Sequence, residues 1–203
     1  LRLLGREETG VATPEESGTL RLLVPLTKLF TTKEGVAISS EILECFGGAG
    51  YIEDTHLPEL LRNSQVLAIW EGTTNVLSLD GLRAIAKENA GEAFMGDLTK
   101  KLSRITLPEK NQVLAAAKEL GDHFKRTTEE ENLSTGAREL AFSLARTYCA
   151  ALMLEQAEWE QKNGKGDRVL IAARRWIDAG LVKLHDESSE RRKESALLIQ
   201  DKK

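Results

Sequence analysis

Two cysteines, four prolines and three histidines are all that 203 residues contain of those types, and aromatic residues make up 5%. Cys45 and Cys149 stand alone inside apolar helical patterns. Two isolated thiols build no disulfide framework and have no metal-ligand spacing. They are expected to stay free, in a reducing intracellular compartment: the cytoplasm if the chain is bacterial, the mitochondrion if it is eukaryotic. His56, His123 and His185 are scattered, so no metal site is expected. No run of about 18 apolar residues occurs, which excludes a membrane-spanning helix. The opening LRLLGREETG carries neither an initiator Met nor a signal-peptide pattern, and a piece of a longer protein is expected. Sustained period-two alternation is also lacking, which argues against exposed sheet.

What is present is a soluble-type composition, 41% hydrophobic and 30% charged. The net charge of -4 singles out no acidic partner. Residues 1 to 95 hold 8 Lys and Arg against 14 Asp and Glu, and residues 96 to 203 hold 20 against 18. A balance of +2 in the second part is too small for a typical nucleic-acid surface.

Leu, Ala, Glu, Lys and Arg at helical spacing predict an all-α fold, an antiparallel helical bundle followed by a further helical region. Residues 1 to 9 read as the end of a helix and GVATPEESGT as a loop. A long helix is expected over 19 to 46, with Leu22, Leu26, Leu29, Val36, Ile42 and Phe46 on its apolar side. Pro25 should kink it or mark its true start, and Gly47 and Gly48 should stop it. A short helix begins near Leu57 with Pro58 in its first turn. VLAIW then links to a helix over 73 to 89 with Val76, Leu79, Leu82 and Ile85 on one face. A domain boundary is placed near residue 95, separating units 1–95 and 96–203. Beyond it, helices are expected over 109–131, 134–162 and 167–184, with an acidic break at EEEN and a short helix in the tail. The buried stripe of the 134–162 helix reads as Ala137, Leu140, Leu144, Tyr148, Leu152 and Trp159.

Two stretches carry possible chemistry. In FGGAGY the glycines follow a helix, so they read either as a helix C-cap or as a turn that lets a backbone approach a ligand. In VLAIWEGTTNV, Glu71 stands just ahead of a helix. It reads either as a carboxylate favoured by the helix dipole, with Thr73 or Thr74 as N-cap, or as a base partly desolvated by Ile69 and Trp70. Trp159 and Trp176 read as core.

Over about residues 20 to 85 the chain resembles the C-terminal helical domain of the acyl-CoA dehydrogenases. Three parts stand in the family's order and spacing: Gly47, Gly48, Gly50 and Tyr51; then Leu60 and Arg62; then Trp70, Glu71, Gly72 and Thr73. An aliphatic-Trp-Glu-Gly form followed by Asn and Asp is most similar to the bacterial alkylation-response branch, which also has an extra helical region suiting residues 96 to 203. The resemblance implies an FAD-dependent enzyme that oxidises acyl-CoA thioesters between the α and β carbons, with Glu71 as the base for the α proton. It implies that Thr73 and Asn75 contact FAD, and that Gly47, Gly48 and Glu44 meet the adenosine end of an FAD held mainly by a neighbouring subunit, hence a homo-oligomer, dimer or tetramer. Glu44 and Asn75 occupy positions where many members have Gln, and a carboxylate near a pyrophosphate is electrostatically unfavourable. The family's N-terminal helical domain and central β domain are not in these residues, so the chain alone is expected to be inactive. The alternative is a scaffold without turnover that binds nucleic acid, lipid or a protein partner through its second region.

Overall fold

The computed structural model describes residues 1–127, 136–184 and 189–199. Among these residues every regular element is helical: α1 (Arg2–Glu8), α2 (Pro14–Cys45), α3 (Leu57–Leu67), α4 (Thr74–Glu88), α5 (Ala90–Arg104), α6 (Lys110–Thr127), α7 (Ala137–Lys162), α8 (Arg168–Asp178) and α9 (Ser189–Ile199). The expected acidic break at EEEN and His185 lie outside the described residues.

Helix α2 begins inside the stretch expected to be a loop. Thr13 Oγ1 accepts from the Glu16 N–H and the Glu16 carboxylate accepts from the Thr13 N–H, a closed capping box with Pro14 in the first turn. Arg6 braces Glu16 at 2.8 Å, which ties α1 to this start. Pro25 neither starts nor ends the helix. It is buried inside it, and α2 runs on to Cys45. The first half of α2 buries Leu22, Leu26, Leu29 and Phe30. The second half buries nothing: Ile42 and Phe46, expected to face a core, are 50% and 53% exposed.

Of the apolar face expected on α4, Ile85 is buried and Leu82 packs against the core, but the other half is turned outward. Val76 and Leu79 are exposed, while Thr74, Ser78, Gly81, Ala84 and Ile85 are buried. These small side chains let α4 lie close on α2. A Cβ at Gly81 would sit 3.6 Å from Leu22 Cδ1. Arg21 closes the pair by forking onto Asp80 at 2.8 and 2.9 Å and reaching Glu88 at 2.9 Å.

The chain turns at Asn89, which holds a left-handed conformation at φ 52°, and α5 then runs straight through residue 95. One continuous buried cluster joins Leu22 on α2 to Phe94 and Leu98 on α5, Leu120 on α6, Leu144 and Leu154 on α7, and Leu170 and Ile177 on α8. Helix α8 stops earlier than expected, at Asp178, where Gly180 takes φ +92°. Leu181 remains buried beyond it. On α7, Ala137, Leu140, Leu144 and Tyr148 are buried, but Leu152 and Trp159 face outward. Lys165 stacks over the Trp159 ring at 4.3 Å. Trp176 does reach the core: its ring meets Phe30 edge-on at 5.9 Å, and its indole N–H donates to the Arg146 carbonyl at 3.0 Å. Among the described residues no helix is long and apolar enough to cross a membrane.

Candidate active site

The connection between α3 and α4 is a tight turn with two consecutive left-handed residues. Glu71 holds φ +55° and Gly72 φ +109°. A non-glycine residue pays roughly 1–2 kcal/mol for the left-handed region, so surrounding contacts must hold this turn. Lys28, half-buried on α2, donates from Nζ to the Gly72 carbonyl oxygen. A Cβ on Gly72 would meet Leu77 Cδ2 at 3.1 Å, so the first turn of α4 closes over this residue. Thr74 is buried, and its carbonyl accepts from Ser78 Oγ at 2.8 Å.

These contacts aim the turn outward. Glu71 is exposed, and its neighbours Ile69 and Trp70 are 59% and 68% exposed. The desolvation expected from those two side chains is therefore absent within this chain. The backbone turns both outward, and only Ala68 of the VLAIW stretch is buried. Thr73 is the N-cap residue of α4, as expected, but its side chain makes no capping bond. Asn75 is exposed on the first turn, and its Oδ1 accepts from Arg138 Nη1 of α7 at 3.1 Å.

The glycine turn lies elsewhere. Gly47–Gly50 form a single 3-10 turn at the end of α2, with Gly47 at φ +54°. A Cβ on Gly47 or Gly48 would meet nothing within 4 Å, whereas one on Gly50 would strike the Leu43 carbonyl oxygen. So Gly50 is required by the fold, and Gly47 and Gly48 present open backbone. Glu44 is exposed on the last turn of α2. Behind the turn, Thr55 Oγ1 donates to the Ala49 carbonyl at 2.7 Å. Arg62 of α3 forks onto Glu53 with two bonds of 2.9 Å, a pairing that lowers the Glu53 carboxyl and raises the Arg62 guanidinium from their ordinary values. Arg62 thus ties α3 to the segment that follows the glycine turn.

Lys28 marks the Glu71 turn on α2, and the glycine turn follows Cys45. Seventeen helical residues separate these points, about 25 Å along the axis. Within one chain the two groups do not converge. Large apolar side chains lie exposed along these segments: Ile38 and Ile42 on α2, Phe46 just past its end, Leu60 and Leu67 on α3, and Ile69 and Trp70 after it.

Sequence reasoning missed Lys28 and Arg138, neither of which belongs to a motif. It also missed a groove of about 1160 Å³ at the other end of α2, lined by the capping-box residues Thr13 and Glu16, by Glu92, Asp97 and Lys100 of α5, and by Glu155. This groove mixes both charge signs and is remote from Glu71.

Residues 8–86 match the family described as acyl-CoA dehydrogenase, C-terminal domain, and residues 91–203 match the acyl-CoA dehydrogenase 11 C-terminal domain-like family. The chain is 39% identical to acyl-CoA dehydrogenase family member 11 of Caenorhabditis elegans, over 98% of this chain and 34% of that protein. It is 31% identical to the putative acyl-CoA dehydrogenase AidB of Escherichia coli, over 72% of this chain and 25% of that protein. The crystal structure of Caenorhabditis elegans ACDH-11 in complex with C11-CoA superposes with a TM-score of 0.91 at 36% identity, covering 99% of this chain and 36% of that one. The chain thus spans between a quarter and about a third of these proteins. With both parts of its length matched in order and its helices superposing on those of the worm protein, the chain belongs to the acyl-CoA dehydrogenase C-terminal domain families.

Proposed function

We propose that this chain is the C-terminal part of an FAD-dependent acyl-CoA dehydrogenase in which Glu71 removes the α proton of an acyl-CoA thioester. The observation that carries this reading is the turn itself. A carboxylate is held at φ +55° on an exposed residue, directly after exposed Ile69 and Trp70, on a backbone fastened from behind by Lys28. An α proton beside a thioester is weakly acidic, so its base must be fixed in place and kept from water. Position is supplied by this chain. Dryness must come from protein or ligand that covers Ile69 and Trp70, so the chain alone is inactive.

The residues present suit FAD in most respects. Gly47 and Gly48 offer open backbone without a Cβ. Thr73 keeps its hydroxyl clear of the helix cap. Asn75 spends its carbonyl oxygen on Arg138, so its amide N–H donors are what it can offer a cofactor. Glu44 does not suit the anionic part, and we take it out of that contact. When bound, the flavin supplies the acceptor, at N5, for the hydride leaving the β carbon. Glu71 would take the α proton, Thr73 and Asn75 would hold the FAD, and Gly47 and Gly48 would receive the adenosine end of a second one. The 25 Å separation of the two turns and the exposed apolar strip support a homo-oligomer in which each cofactor lies between copies. The two family matches part between residues 86 and 91, which supports a division of the chain close to the boundary expected near residue 95.

Full-length protein tests the reading. It should purify with one FAD per chain, and the flavin absorbance should bleach on anaerobic addition of C11-CoA or a related acyl-CoA. Protein that retains no flavin, or a bound flavin that no acyl-CoA of any length reduces, would remove it.

A further inference from the structure

We infer that Lys28 is a positioning residue for Glu71, acting through the Gly72 carbonyl. The inference rests on the reading of Glu71 as the base and adds to it a residue that no motif marks. Three observations converge on it. The Glu71–Gly72 pair occupies two successive positive-φ conformations, which a free loop does not hold unaided. The Lys28 ammonium reaches across from α2 and donates to the carbonyl of Gly72, the one residue between Glu71 and the N-cap of α4. A hydrogen bond from a charged donor is among the stronger ones, and its half-buried setting limits competition from water. The α2 segment that carries Lys28 is rigid, since Leu26, Leu29 and Phe30 around it are buried.

Backbone hydrogen bonds hold only the flanks of the turn: Ile69 and Trp70 N–H donate to the Val66 carbonyl, and Leu77 N–H to the Thr73 carbonyl, each at 3.0 Å. Its side chains at Ile69, Trp70 and Glu71 are exposed, and Thr73 makes no capping bond. Packing of Leu77 beneath Gly72 excludes a side chain there but does not set the direction of the carbonyl. Lys28 does set it. Fixing the Gly72 carbonyl and the N-cap fixes the planar Gly72–Thr73 peptide and so anchors the Gly72 Cα, the point from which Glu71 departs. Misplacement of a base by about 1 Å costs on the order of 100-fold in rate.

The test uses full-length, FAD-loaded protein with C11-CoA as probe, comparing Lys28→Met, Lys28→Arg and Glu71→Gln. Lys28→Met should lower the limiting rate of flavin reduction by about 10- to 100-fold, with its dependence on C11-CoA concentration and its FAD content unchanged. Lys28→Arg, which keeps a charged donor, should recover most of the rate. In the same variants without substrate, amide hydrogen exchange over residues 68–74 should quicken in Lys28→Met and remain as in wild type in Glu71→Gln. A normal limiting rate or unchanged exchange in Lys28→Met, beside an inactive Glu71→Gln, overturns the role of Lys28 alone. A normal rate in Glu71→Gln removes the base and the inference with it.

Discussion

Arg138 of α7 donates to Asn75 Oδ1 at 3.1 Å, linking α7 to the first turn of α4, four residues past Glu71. The guanidinium also lies over the Phe142 ring at 5.6 Å, and Phe142 packs edge-on against Phe30 at 5.7 Å. The helices beyond Asn89 therefore reach the candidate site directly. Arg138→Ala leaves Asn75 to rotate. Because the pair is exposed, global stability should change by no more than about 1 kcal/mol. FAD affinity of the full-length protein should fall by about 3- to 10-fold, the weight of one hydrogen bond. Titration of apoprotein with FAD measures this, and unchanged affinity would detach Asn75 from the cofactor.

Gly18 is where α2 touches α5. A Cβ there would stand 2.9 Å from Ala93 Cβ, and neither atom has a rotamer by which to move aside. Gly18→Ala should destabilise the fold by about 1–3 kcal/mol through overpacking, despite the gain in helix propensity. Urea unfolding followed by circular dichroism reads it. A neutral or stabilising result would mean that α2 and α5 sit farther apart than described.

Glu158 on α7 fastens the α5–α6 connection. Its Oε1 accepts from the Thr106 hydroxyl and from the Thr106 N–H at 3.1 Å, with Lys162 Nζ at 3.2 Å. The Thr106 hydroxyl bond is the main cause that holds its carboxyl below the ordinary value of 4.5. A carboxyl lowered in the folded state adds stability above its unfolded value and loses it as pH falls through the folded one. Glu158→Gln should therefore be less stable than wild type by roughly 1 kcal/mol at pH 7. The gap should close below pH 4.5. Thermal midpoints of both proteins between pH 7 and pH 3 test this, and a gap that stays constant would contradict it.

The helical fold was legible because the apolar residues of α6 and the first half of α7 keep the helical period, whereas α5 was missed because the glycines of NAGEAFMGD read as a boundary. The start of α2 was hidden by its own turn formers: within GVATPEESGT the Thr13-x-x-Glu16 pattern outweighs Gly10 and Ser17 once both capping bonds close. On α4 the large residues misled. Ser78, Gly81 and Ala84 make the buried face because small side chains permit close approach, while Val76 and Leu79 face outward. The candidate site divides the same way. Its motif residues Glu71, Gly72, Thr73 and Asn75 are consecutive or nearly so and stand out in one dimension. Lys28 and Arg138 reach them from 44 and 63 residues away, and only the fold brings them there. Whether a carboxylate is dry is likewise set by distant surfaces, so the flanking Ile69 and Trp70 could not reveal it.

The most direct measurement is anaerobic flavin reduction by C11-CoA in full-length Glu71→Gln beside wild type, at matched FAD content. Removing a positioned general base should slow reduction by about 100- to 10,000-fold without releasing the flavin. Reduction within a few-fold of wild type would show that another group takes the α proton.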